Sequence, residues 1–178
     1  QVLCAQVNNR TRDLSYRVYQ PKQIMFSDAS HIMGMRMYVR SLCFVLYKAV
    51  TELFPGTRLR IEHSVSNGYF CCLNQREEIP HDTVELLKER MRDIIRRDLP
   101  FERIQSTAEV AAGHFREQDM CDKIDLIETL HPLYATYYKL GNLYDVYYEY
   151  LLPSTGYLKV FDLIKYHDGM LLIPLSLI

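Results

Sequence analysis

The sequence predicts an α+β fold, a small β-rich unit followed by a larger mixed one, on three observations. Short apolar runs separated by Asn8-Asn9 and Pro21 fill the first thirty residues. Two later stretches carry apolar residues at helical spacing. Beyond Tyr134 the pattern returns to short, tyrosine-rich, strand-like runs.

In order along the chain, Val2 to Val7 reads as a strand, and Asn8-Asn9 as a turn of residues that tolerate left-handed backbone. Leu14 to Tyr19 alternates at period two and reads as a second strand, and Gln23 to Phe26 as a third. A helix is expected from Val39 to Phe54, where Val39, Leu42, Leu46, Ala49, Val50 and Leu53 recur on one face and Pro55-Gly56 ends the run. Leu59 to His63 and Tyr69 to Leu73 read as a hairpin closed by Ser66-Asn67-Gly68, with Asn-Gly supplying the positive φ angles. A second helix is expected from Asp82 to Arg97, capped by Asp82 with Glu85 at the capping-box spacing. Its basic residues alternate with acids, and Glu89–Arg92, Asp93–Arg96 and Asp93–Arg97 fall at ion-pair spacing, so a solvated face is expected rather than a nucleic-acid stripe. Phe101 to Gln105 reads as a strand. Ser106 is expected to cap a helix running to about Gln118, and a short helix should follow from Lys123 to Leu130. A hairpin around Gly141-Asn142 and strands from Gly156 to Ile164 and Met170 to Leu175 complete the chain.

The 178 residues are 48% apolar, enough for a proper core. No apolar run approaches the roughly 20 residues that span a bilayer, so no membrane partner is expected, nor a secretory leader. Five cysteines with no CxxC pair argue for free thiols and a cytoplasmic location. Charge is uneven. Residues 1–60 hold nine Lys/Arg against three Asp/Glu, which allows an anionic partner there. No Gly-rich phosphate loop, HxxxH, HExxH or nucleophile elbow occurs. Cys71-Cys72 should place one thiol in the core and one outside. Nine of the fourteen tyrosines lie between 134 and 166, with no Arg and only Lys139, Lys159 and Lys165 among them, and they read as core or as a protein interface.

Several strings, in order, resemble threonyl-tRNA synthetase upstream of its catalytic core. Ala5 to Asn9, Asp13-Leu14 and Ile24-Met25-Phe26 resemble the later strands of a TGS domain. Glu52 to Gly56, Val65 to Phe70, Leu99 to Arg103, Ser106 to Val110 and Lys123 to Ile127 resemble the second additional domain shared with alanyl-tRNA synthetase editing regions. The resemblance implies a partial TGS-like (β-grasp) domain over 1–31 and an editing-like α+β domain over 32–178. The family's HxxxH and CxxxH residues surround a site that hydrolyses mischarged tRNA. The matching positions here are Arg40, Phe44, Leu152 and Gly156, so no catalytic residue and no metal site is expected. The tail from Pro153 to Leu163, with Asp168 to Pro174, resembles the segment before the kinase domain in bacterial uridine-kinase-like proteins.

That resemblance implies a non-catalytic accessory module beside a downstream P-loop kinase domain, with ATP and Mg belonging to that domain and no cofactor in this chain. Arg40, His63, Asn67 and Tyr69 are the candidate ligand residues, for a nucleotide or tRNA. Arg40 sets a positive charge where a histidine stood, or else serves a structural ion pair; His63 has the plainer alternative of an edge residue. Two alternatives stay open: a trans-editing hydrolase using other residues, and an oligomerisation module joined through the tyrosine-rich segment.

Overall fold

Asn8 and Asn9 both adopt left-handed backbone, φ 48° and 64°, and so join β1 (Cys4–Val7) to β2 (Arg10–Arg12) by a tight turn. The computed structural model describes residues 1–73 and 78–174. β3 (Ile24–Ser27) returns along the other edge of β1, giving an antiparallel sheet of order β2-β1-β3. The strand expected from Leu14 to Tyr19 does not form. Asp13 instead closes a local turn, its carboxylate accepting from the Ser15 amide at 2.9 Å and the Ser15 hydroxyl at 2.6 Å. Such side-chain bonds offer the backbone an alternative to a ladder.

α1 (Ile32–Leu53) begins well before Val39. Gly34 hid this first part of the helix. It is there because the Asp28–Ala29 backbone crosses so closely that a Cβ would sit 2.8 Å from the Asp28 carbonyl carbon. His31 caps the helix, its Nδ1 accepting from the Met33 amide at 3.3 Å. Most of α1 is buried, including Leu42, Phe44, Leu46 and Val50. It ends at Pro55-Gly56, where Gly56 takes φ 81°.

β4 (Leu59–Val65) and β5 (Gly68–Leu73) form the expected hairpin, but Ser66, with φ 52°, carries the left-handed angle in place of Asn67. Gly68 is required for space instead, since a Cβ there would meet Leu171 Cγ at 2.8 Å and the Leu172 carbonyl oxygen at 2.9 Å. α2 (His81–Arg96) buries Val84, Leu87, Met91 and Ile94 completely. Pro80 holds the N-cap position with no side-chain bond, so Asp82 is a first-turn residue, where its charge still suits the helix dipole. The expected ion pairs are present: Arg92–Glu89, Arg96–Asp93 at 3.6 Å and Arg97–Asp93 at 2.7 Å.

β6 (Glu102–Thr107) takes in Ser106, which therefore does not cap α3 (Ala108–Glu117); its hydroxyl lies 3.2 Å from the Tyr137 hydroxyl. α4 (Cys121–Leu130) follows. β7 (Tyr134–Leu140) and β8 (Leu143–Asp145) complete a sheet of order β6-β7-β8. Consecutive Tyr137 and Tyr138 point to opposite faces. Tyr137 joins a small core with Ala111, Phe115 and Met120, and Tyr138 joins the main one. A 3₁₀ turn, Thr155–Tyr157, stands where a strand from Gly156 was expected, and the strand starts later as β9 (Phe161–Tyr166). β10 (Gly169–Pro174) ends the described chain, and Leu175 lies outside the described residues.

The four-stranded sheet β4-β5-β10-β9 is antiparallel and packs Cys71, Leu73, Leu163, Met170 and Leu172 against α1 and α2. The architecture is thus α+β, as expected. Cys71 and Cys72 do point to opposite faces, yet both are wholly buried, with Cys72 Sγ 3.6 Å from Glu62 Oε1. No disulfide joins the cysteines among the described residues. No helix among the described residues is long and apolar enough to cross a membrane.

Candidate functional site

The four positions matched to the editing constellation lie where α1 meets the irregular segment 147–158. Ser41, fully buried, fixes the join: its hydroxyl donates to the Met37 carbonyl at 2.9 Å and accepts from the Leu152 amide at 2.9 Å. The Tyr138 hydroxyl accepts from the Leu151 amide at 3.3 Å. Arg40 Nη2 donates to the Tyr150 carbonyl at 3.1 Å, and Nη1 pairs with Glu149 at 2.7 Å. Side chains thus hold three successive backbone groups of the segment, in place of a strand ladder.

The far end of the segment is tied to the C-terminal end of α2. Thr155, fully buried, donates its hydroxyl to the Ile94 carbonyl at 3.0 Å and accepts from the Leu99 amide at 2.9 Å. The Asp98 carboxylate accepts from the Ser154 hydroxyl at 2.5 Å and the Gly156 amide at 3.0 Å. A Cβ on residue 156 would lie 2.8 Å from Asp98 Cγ, so a larger residue there would have to displace that carboxylate from its bonds to Ser154 and the 156 amide.

Phe44 is wholly buried, one helical turn beyond Arg40. Its ring stacks on Phe101 with centroids 6.0 Å apart and meets Tyr147 at 5.2 Å. Leu152 is 1% exposed. A phenyl, an isobutyl and a hydrogen therefore occupy three of the four positions, and none can bind a metal or carry a proton. The fourth, Arg40, pairs with Glu149 at 2.7 Å. Among the described residues no group of three His, Cys, Asp or Glu is placed to hold a metal ion. Nearby, burial raises the Asp145 carboxyl above its ordinary range, opposed by Lys123 at 3.9 Å. Burial, then the Asp145 charge, pushes the Tyr147 phenol well above its usual value.

The other candidate ligand residues are not gathered with Arg40. His63 is exposed on β4, its ring 5.5 Å from Phe70 and its Nδ1 4.0 Å from Glu62. Asn67 is exposed at the hairpin tip. Tyr69 faces the main core. His63 and Tyr69 therefore lie on opposite faces of one sheet. A surface groove of about 260 Å³, lined by residues including Ala112, Arg116, Ile127 and Glu128 of α3 and α4, shares no residue with the seam.

Ser41, Thr155 and Asp98 were not singled out from the sequence, nor was Arg12, whose Nη1 donates to the Tyr150 hydroxyl at 2.5 Å. Residues 12 and 150 are far apart in the chain, and no local pattern links them.

The fold is a mixed α+β one, and comparison with known proteins finds its likeness among threonine–tRNA ligases. The chain is 30% identical to the threonine–tRNA ligase of Desulforamulus reducens over 93% of its own length. It is 27% identical to that of Carboxydothermus hydrogenoformans over 93% of its length, and 29% identical to that of Rubrobacter xylanophilus over 89%. The match takes in 26%, 26% and 25% of those ligases, so the chain spans about a quarter of the curated relatives. No protein-family model matches it.

Proposed function

We propose that this chain is a non-catalytic, cytoplasmic accessory module: an editing-like domain that has lost its chemistry and serves a nucleoside (uridine) kinase-like protein. In this reading residues 1–31 are part of a TGS-like domain, and residues 32–178 form the editing-like domain. A downstream P-loop domain binds ATP and Mg and transfers the phosphate. The observation that carries the loss of hydrolysis is the packing at the seam. Phe44 lies between two aromatic rings and Gly156 lies against Asp98, so neither position can orient a water. General acid–base catalysis needs a titrating group within hydrogen-bond reach of the reacting atoms.

The test has two parts. Excess protein mixed with seryl-tRNA specific for threonine should leave the ester lifetime unchanged in single-turnover conditions; acceleration that tracks protein concentration refutes the non-catalytic reading. Translation of the gene past Ile178 should reveal a strand followed by GxxxxGK[ST] within about a hundred residues, and its absence refutes the kinase assignment. The synthetase relatives favour one second reading, contact with tRNA without hydrolysis. Retention of tRNA by the immobilised protein tests it.

A further inference from the structure

Taken alone, the tyrosine-rich segment has no arginine, only Lys139, Lys159 and Lys165, but the fold brings arginines in from other elements. Arg12 of β2 and Arg103 of β6 hold their guanidinium carbons 5.7 Å and 5.2 Å from the centre of the Tyr150 ring. Arg12 also lies 4.9 Å from the Tyr16 ring, which Lys22 approaches to 5.8 Å. Arg40 reaches the same residue through the Tyr150 carbonyl. Three guanidinium groups thus converge on one tyrosine, and only Arg40 has a carboxylate partner, Glu149. Arg12, Lys22 and Arg103 form no ion pair among the described residues. The other acid close by is Asp13, whose carboxylate is occupied by Ser15.

Cation–π contacts help hold such groups, and four cations, Arg12, Lys22, Arg40 and Arg103, set against two carboxylates, Asp13 and Glu149, leave an excess of positive charge that attracts an anion to the surface. Guanidinium forks suit phosphate oxygens, and several forks around one ring suit a ligand with several phosphates better than a single carboxylate. Tyr148, two residues away, is 87% exposed and offers a bare aromatic face.

We propose that Arg12, Arg40 and Arg103, converging on Tyr150, bind the phosphate chain of a nucleoside triphosphate, whose base stacks on Tyr148. This rests on the accessory-module reading and gives that module its ligand class. Calorimetric titration of the whole chain at low ionic strength tests it, with UTP, inorganic tripolyphosphate, uridine and a short single-stranded RNA as probes. UTP and tripolyphosphate should bind, uridine should not, and affinity should fall as salt is raised. R103Q should weaken both phosphate ligands about tenfold, and R12Q likewise. Y148A should weaken UTP and spare tripolyphosphate. Arg103 is exposed and donates no hydrogen bond to protein among the described residues, so R103Q should melt with the parent and serves even where R12Q loosens the first sheet. Three results overturn the proposal: no heat from either phosphate ligand up to millimolar concentration, binding unchanged in R103Q, or binding of RNA alone. Each can occur while the ester-lifetime result stands, so failure here is separable from failure of the non-catalytic reading.

Discussion

Replacing Thr155 by valine isolates what holds the 147–158 segment against α2. The shape is kept, so no cavity opens, and only the hydroxyl is lost. That hydroxyl makes two bonds in a fully buried position, to the Ile94 carbonyl and from the Leu99 amide. The Ile94 carbonyl lies in the last turn of α2, where the helix itself supplies no partner. Leaving a buried polar group unpaired costs about 1–3 kcal/mol. Two such groups, with partial relief from relaxation of the loop, put Thr155→Val at about 3 kcal/mol. Thr155→Ser keeps the hydroxyl and loses one buried methyl, about 1 kcal/mol. The difference between the two, about 2 kcal/mol, measures the hydrogen bonds. Urea unfolding followed by circular dichroism gives both numbers from midpoints at a common slope. If valine proves as stable as serine at this position, the segment is held by apolar packing and the reasoning about the seam fails.

Four further outcomes follow from the same contacts. Gly156→Ala should destabilise by about 1–3 kcal/mol, and most of that should vanish in an Asp98→Ala background; an equal cost in both backgrounds would show that the carboxylate is not the obstacle. Phe44→His should lower the melting temperature by several degrees, since it leaves an imidazole without a partner among Phe101 and Tyr147, and it should not produce deacylation of seryl-tRNA. Burial pushes the Glu52 carboxyl up, but the hydrogen bonds and charges of Lys48 and Arg90 outweigh it and leave it below the usual range. Its contribution is therefore fully present above the ordinary carboxylate pKa of about 4.3 and is lost as pH falls through the lower folded value; Glu52→Gln should flatten the drop in urea midpoint below that pH, and an unchanged acid limb would contradict the pairing. Burial pushes the Cys43 thiol up to about 12, whereas Cys121 is exposed, so brief iodoacetamide treatment at pH 8 should alkylate Cys121 before Cys43, as read by peptide mass spectrometry.

The sequence was most legible where local pattern and tertiary burial ask for the same thing. Val84, Leu87, Met91 and Ile94 repeat at helical spacing and all reach zero exposure, while the acids and arginines on the opposite face make the pairs their spacing implies. It misled where a pattern had no partner. Leu14, Tyr16 and Val18 alternate like a strand, but the two edges of β1 are taken by β2 and β3, and Asp13 turns the chain away. Capping signals at Asp82 and Ser106 failed for a related reason: α2 begins earlier, at His81, and β6 extends through Thr107, so neighbouring elements claim those residues. Of the candidate site, counting along the family resemblance picked out Arg40, Phe44, Leu152 and Gly156, which the structure sets on α1 and the 147–158 segment, while His63 and Tyr69, grouped in the same reading, are sent by the sheet to opposite faces.

By itself, the sequence determined the α+β class, the two long helices and the hairpins, because these depend on residue type and on spacings within a turn or a strand. Only the tertiary structure decided that Phe44 would be locked among aromatic rings, that the Asp98 carboxylate would pack against Gly156, and that Arg12 and Arg103 would meet at Tyr150. Those contacts join elements far apart in the chain. Their free energy comes from burial and hydrogen bonding that arise only once the segments are packed together.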